Sequence, residues 1–252
     1  MRSISGFTQW RVLSRSLFIQ AGFNAEGMQS LGMLYALYPA LREFYPDPHE
    51  QQEAARRHLS TFNTHPYVAA AIIGGILYYE RRIADGEAAA EKVSEFKSAL
   101  MGPLAAMGDG FFWLSLRPAC GALAVASVPW IGAWSALLFL VLYNLVHLTA
   151  RGYLFFVGLE YGEGMVERIA LMDIPWWGER LRRVAAGCAG GLAAFLALQY
   201  GAQQGGNGAP LLAGGCLLFG GLAWVLVSRT QVSPYLVLYA AALFSGVLGA
   251  LL

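Results

Sequence analysis

Apolar positions along the first 62 residues recur at helical intervals instead of in long runs. Phe7 to Gln20 forms one such segment, and Ala25 to Arg42 a second in which Met28, Leu31, Leu34, Tyr35 and Tyr38 fall at helical spacing. A third helix is predicted to begin at Asp47-Pro48-His49-Glu50: Asp47 can cap, Pro48 suits the first helical position, and Glu50 completes a capping-box-like pattern. An amphipathic helix needs a surface on which to bury its apolar stripe. These segments are therefore expected on or beside a membrane, packed on other protein, and not across it.

The pattern changes after residue 62. Tyr67 to Tyr79 is apolar and contains Gly74-Gly75, but it falls short of the roughly 20 residues that cross a bilayer. It fits a re-entrant half-helix or a buried core helix. A charged stretch from Glu80 to Lys97 follows, then a nearly charge-free run from Ala119 to Val141, interrupted by Pro129 and Gly132, that suits a span or a hairpin. Asn144, His147 and Arg151 lie three or four residues apart and share one helical face. A second charged stretch, Glu160 to Arg183, carries a Pro175-Trp176-Trp177 break whose aromatics suit a membrane interface. Val184 to Tyr200, Leu211 to Ser228 and Tyr235 to Leu252 are apolar segments of about spanning length. The Arg229 turn between the last two favours the cytoplasmic side, which would turn the Gln203 to Gly208 loop outward.

Two short polar islands stand out against this background: Asn63-Thr64-His65-Pro66, and the stretch from Gly102-Pro103 to Gly108-Asp109. Uncapped polar backbone at membrane depth is tolerated only where protein or a polar cavity covers it, so the islands point to a transport site. The predicted fold is all-α: a polytopic membrane protein with N-terminal amphipathic helices over 1–62, a core of re-entrant or broken hairpins over 63–183, and about three C-terminal transmembrane helices over 184–252.

Composition agrees with a membrane setting. Apolar residues make up 57% and charged residues only 13% of the 252-residue chain, where soluble domains carry about 25% charge. A net charge of +1 gives no basic face for nucleic acid. Cys120, Cys188 and Cys216 lie in apolar stretches without C-x-x-C spacing and read as buried small hydrophobes. The opening residues, Met1 to Arg15, lack the apolar core and cleavage site of a signal peptide. No nucleophile, base and orienter fall together and no metal-ligand spacing occurs, so neither an enzyme nor a metal or cofactor protein is expected.

Taken with its residues, this order of segments resembles the IID membrane component of the mannose-family sugar phosphotransferase systems. The resemblance rests on Arg15 to Gln20, Asn24 with Glu26, Met28 and Gln29, Tyr38-Pro39, and Phe44-Tyr45-Pro46. It is most specific over Arg57 to Pro66 and Leu100 to Asp109, followed by Phe112-Trp113, Arg117-Pro118, Asn144, His147, Arg151 and Val232 to Tyr235. It implies a hetero-oligomeric, multi-pass subunit of the bacterial inner membrane that binds and moves a hexose with a IIC subunit. Soluble IIA and IIB chains would carry phosphate on histidines and phosphorylate the sugar, so this chain would hold no phosphohistidine. The lipid bilayer would be its other contact. His147 stands where the family has arginine and Leu159 where it has tyrosine, and the Gln203 to Leu217 region is short.

A hexose presents hydroxyls that each donate and accept. Asparagine offers donors and an acceptor, and aspartate accepts from two hydroxyls at once. On that chemistry the candidate sugar ligands are Asn63, Thr64, His65 and Asp109, with Gln20 and Asn24 behind them. Asn63 and His65 equally suit caps on the helix after Pro66, and Asp109 suits an N-cap ahead of Phe111. His49 and His58 are expected on solvated helix faces. Arg117 is expected to pair with a residue such as Asp109, while Arg151 and Glu160 are expected as interfacial anchors or IIC contacts; His147 joins Arg117 and Arg151 as a structural or partner contact. A non-transporting scaffold, or the regulatory subunit of an atypical system, is the alternative, though it gives no reason for the islands. A self-sufficient secondary transporter is weakened by the small number of full spans.

Overall fold

In the computed structural model the described residues are 3–203 and, beyond them, 214–215, 218–222, 225–226, 229, 232–233, 236–237, 239–241 and 243. The chain divides into two compact units, Met1–Gly187 and Cys188–Leu252. Among the described residues the structure is helical, with isolated bridges but no extended strand.

The N-terminal region forms helices as read, but the stripe expected to be buried on the second is not the one that packs: Leu31, Tyr35 and Tyr38 are exposed, and Met28 precedes the helix. Helix α1 (Gly6–Ser16) starts where the Ser5 hydroxyl accepts from the Thr8 amide at 3.2 Å. Helix α2 (Ser30–Phe44) buries Met33, Ala36, Leu37, Ala40, Leu41 and Phe44 along one stripe. Helix α3 (Pro48–Arg57) is capped by Asp47, whose carboxylate accepts from His49 N at 2.9 Å and Glu50 N at 3.0 Å.

Helix α4 (Ala69–Ala84) is the centre of the core, buried from Ala69 through Leu77. It is longer than the apolar run suggested, because its last turns take in Glu80, Arg81 and Arg82. It packs on the long helix α7 (Trp134–Tyr161) through reciprocal glycines. A Cβ on Gly74 would overlap the α7 backbone at Phe155, and one on Gly158 would overlap the α4 backbone at Ala71. Gly74-Gly75 thus marks close helix packing of the small-residue type used between membrane helices.

The end of α4 buries charge. Glu80 is fully buried, and its carboxylate accepts from the Tyr45 hydroxyl at 2.7 Å, meets His58 Nε2 at 2.9 Å and lies 3.6 Å from Arg57 Nε. Burial works against the carboxylate, but the hydrogen bond from His58, the Arg57 charge and the Tyr45 hydroxyl outweigh it and hold Glu80 below the usual carboxylate range. His58 is 0% exposed, which corrects the solvated histidine expected from sequence. Its pKa is pushed down, chiefly by burial, so it serves as a neutral donor to Glu80. His49 is exposed, as expected. Lys97 Nζ completes the cluster, donating to Arg57 O at 3.0 Å and Ser60 Oγ at 2.8 Å.

Past α4 the helices lengthen. Helix α5 (Glu91–Gly108) passes through Pro103 without stopping, runs into a π-helical stretch (Asp109–Leu116), and continues as α6 (Arg117–Ile131). The second island is therefore not a helix start. Asp109 sits inside a continuous helix with φ −62° and ψ −46°, which corrects its expected capping role. The chain's irregularity is instead the π turn, where Ser115 Oγ donates to Gly110 O at 2.8 Å and Arg117 N reaches back to Phe112 O. Gly132, at φ +54°, then turns the chain into α7, so the Ala119 to Val141 run is a hairpin.

After α7 come a 3₁₀ turn, the short helix α8 (Met165–Ala170) and helix α9 (Ile174–Gln203). Among the described residues three helical stretches are long and apolar enough to cross a membrane: Glu91–Ile131, Trp134–Ala170 and Ile174–Tyr200. The third contains the first of the predicted C-terminal spans. The predicted spans 211–228 and 235–252, the Gln203 to Gly208 loop and the shortened 203–217 region lie largely outside the described residues.

Candidate functional site

The first island is built onto the loop between α1 and α2. Gln29 clamps it with both ends of its amide: Nε2 donates to Thr64 O at 2.7 Å and Oε1 accepts from Thr64 N at 3.1 Å. Gln29 N also donates to Phe62 O at 2.8 Å. The loop holds its own shape through Asn24, whose Oδ1 accepts from Glu26 N at 3.1 Å and Gly27 N at 2.8 Å while its Nδ2 donates to Gly22 O at 3.1 Å. Asn24 is thus the shaper of this turn. Gln20 is exposed on the same connection.

From there the chain enters α4. His65 O accepts from Val68 N and Ala69 N, and His65 Nδ1 accepts from Tyr67 N at 3.3 Å. His65 thus shapes the turn that leads into α4, whose N-cap position is Val68. That bond assigns the ring proton to Nε2, and this nitrogen is buried without a hydrogen-bond partner. The ring is 2% exposed, and burial, with the charges of Arg151 and His147, pushes it down to about pKa 4. His65 is neutral at physiological pH. The Thr64 hydroxyl is likewise buried and unpartnered, whereas the Asn63 side chain is exposed.

Aromatic rings surround His65. It stacks on Phe112 at 5.1 Å and meets Trp113 and Tyr67 at 5.0 Å each. Tyr67 in turn stacks on His147 at 4.2 Å, and its hydroxyl lies 3.3 Å from that of Tyr143. Phe112 and Trp113 reach His65 because Gly108 abuts it: a Cβ on Gly108 would collide with the His65 ring. The two polar islands, 36 or more residues apart in sequence, meet at this contact. Asp109, exposed, is the next residue along.

Arg151 holds the assembly from behind. Its NH1 donates to Ser16 O at 2.7 Å and Ser16 Oγ at 3.1 Å, and its NH2 to Pro66 O at 3.0 Å. At 3% exposure it is an internal strut that ties α1 and the first island to α7, which corrects the interfacial anchor expected from sequence. Arg117 does not take the role foreseen with Asp109: its guanidinium lies over the Trp113 ring at 5.6 Å, two helical turns further on. Sequence reasoning also missed Gln29, Tyr67, Phe112, Trp113 and Tyr143 as parts of the site. The available signal was the aromatic sequence that follows each island, Tyr67 at once and Phe112-Trp113 three and four positions on.

Residues 4–193 match the family described as the PTS system mannose/fructose/sorbose family IID component. The chain belongs to this IID family. It is 41% identical over 153 residues to the mannose-specific EIID component of Escherichia coli (strain K12), a match covering 60% of this chain and 53% of that protein. It is 35% identical over 176 residues to the fructose permease IID component of Bacillus subtilis (strain 168), covering 69% and 61%. The chain spans about half the length of the curated relatives it matches.

Among solved structures, the mannose transporter ManYZ in complex with microcin E492 superposes with a TM-score of 0.62 at 27% identity, covering 99% of this chain and 97% of that one. A second membrane protein superposes with a TM-score of 0.72 at 28% identity, with the same coverage. This IID chain is accordingly a multi-pass membrane protein of a sugar phosphotransferase system.

Proposed function

We propose that this IID chain forms, with a IIC subunit, the membrane translocator of a mannose-family phosphotransferase system in the bacterial inner membrane, where it binds and moves a hexose. Phosphoryl transfer lies on IIA and IIB chains, and this subunit is non-catalytic. The observation that carries the reading is the meeting of the two islands at His65 and Gly108, which leaves a buried neutral N–H donor in a cup of aromatic rings.

That chemistry suits a sugar. Ring faces receive the apolar C–H face of a hexose, and an unspent donor with a neighbouring unspent hydroxyl matches its oxygens, since an unmatched buried hydroxyl costs about 1–3 kcal/mol. Asn63, Thr64, His65 and Asp109 are assigned to the sugar hydroxyls. Gln20 and Asn24 support the loop that presents the first island. The mannose specificity of the Escherichia coli relative and of the ManYZ neighbour favours a hexose as the cargo class.

The test is hexose uptake into vesicles holding a reconstituted IIC/IID pair with its IIA and IIB donors. Asn63→Ala and Asp109→Asn, both at exposed positions, are expected to raise KM about tenfold while the complex stays assembled. Unchanged uptake in both would favour the non-transporting scaffold.

A further inference from the structure

A second feature of the molecule has a different chemistry from the sugar site. Segments long enough to cross a membrane border a half-open cavity of about 590 Å³, walled by Phe111, Val146, Ala150, Leu154 and Trp177 and reaching Gly108 and Phe112 beside the His65 contact, with no charged side chain in its lining. Its size falls within the roughly 300–1,000 Å³ of small-molecule sites, but it offers a hexose almost nothing to hydrogen-bond. A smaller cleft of about 210 Å³ shares Met107, Phe111 and Ile174 with it and adds Pro175, Gly178 and Arg182.

The cleft end is cationic. Arg182 NH1 donates to Ser115 Oγ at 2.8 Å, and its NH2 shares the Glu179 carboxylate with Arg183. Arg180 lies over the Trp176 ring at 3.8 Å. Two guanidinium groups thus share one carboxylate and a third lies on a tryptophan, beside a pair of exposed tryptophans of the kind that mark the membrane interface.

We propose that this cavity holds an acyl chain of an anionic phospholipid, with its phosphate against Arg182 at the cleft. An apolar volume among membrane helices matches the chain, and arginine gives phosphate a paired, planar donor. Basic pockets beside transmembrane helices recognise anionic headgroups for the same reason.

Native mass spectrometry tests this on the purified full chain, alone and with its membrane partner, after equilibration in mixed micelles of equal phosphatidylglycerol and phosphatidylethanolamine. The wild type is expected to retain one phospholipid, with phosphatidylglycerol favoured at least threefold. Ala150→Trp, which fills the cavity, is expected to lose it. Arg182→Gln is expected to keep a lipid but retain both classes equally. Arg182 is half exposed, so that arm reads out even where Ala150→Trp fails to fold. Retention of no lipid by the wild type, full retention by Ala150→Trp, or an unchanged preference in Arg182→Gln overturns the proposal. So does loss of the lipid on binding the partner subunit, which would make the cavity a subunit contact.

Discussion

The two ends of α4 bury polar groups in opposite ways. At its C-terminal end Glu80 is a carboxylate whose two oxygens are taken by Tyr45 and His58, with Arg57 supplying the charge. At its N-terminal end, His65 and Arg151 bring donors into a wall of rings where the surrounding acceptors are backbone carbonyls, the Ser16 hydroxyl and aromatic faces. His65 Nε2, Arg151 Nε and the Thr64 hydroxyl are left over. At the other end His58 Nδ1, Arg57 NH1 and Arg81 Nε are also unpartnered, but His58 and Arg57 each face the Glu80 carboxylate through another nitrogen. At one end the buried carboxylate is satisfied on both oxygens by the chain itself, and at the other a neutral ring N–H and a hydroxyl are left for a ligand to complete. The first is a structural device, the second the place to look for binding.

The largest expected effect comes from breaking the closed end. Glu80→Ala removes the acceptor that three groups face, and a broken buried pair costs about 3–5 kcal/mol. Thermal unfolding in detergent checks this, and transport per folded molecule should change little. Next in size, Gly158→Leu forces a side chain into the α4 backbone, with a cost of about 1–3 kcal/mol or more and the same readout.

Acid should weaken both ends in sequence. The folded pKa values of His58 and His65 lie below 6.5, so between the folded and unfolded values the unfolded chain binds more protons. Their stabilisation is present above pH 6.5 and lost as pH falls, through about 4 for His65. Glu80, held below 4.5, adds its own loss as pH falls below that value. A melting temperature that rose on acidification would contradict this. The smallest stability effect is expected for Asp109→Asn, within about 0.5 kcal/mol at an exposed position, despite its expected effect on uptake.

Local signals in the sequence were legible. Asp47 caps α3 as its spacing predicts, Gly132 turns the hairpin, and the islands mark the place where α4 and the π stretch meet. What escaped was long-range pairing. His58 looks like one more polar residue on a charged helix until Glu80, 22 residues on, is folded against it. Arg151 reads as an anchor because its partner Ser16 is 135 residues away. Apolar length misjudged α4, since a buried helix ended by paired charges leaves a short apolar run. The second island hides its helix for a related reason, since α5 carries Pro103 within it and runs on into the π stretch.

The central claim is that the open end of α4 is completed by a sugar. His65→Phe keeps a ring against Phe112 while removing Nε2–H, so the decisive measurement is hexose uptake kinetics of this variant in the reconstituted complex, matched for folded protein. KM is expected to rise about tenfold, with a melting temperature lowered by only a few degrees through loss of the Tyr67 N bond. Unchanged KM together with a large loss of stability would contradict it and make His65 a structural residue like His58.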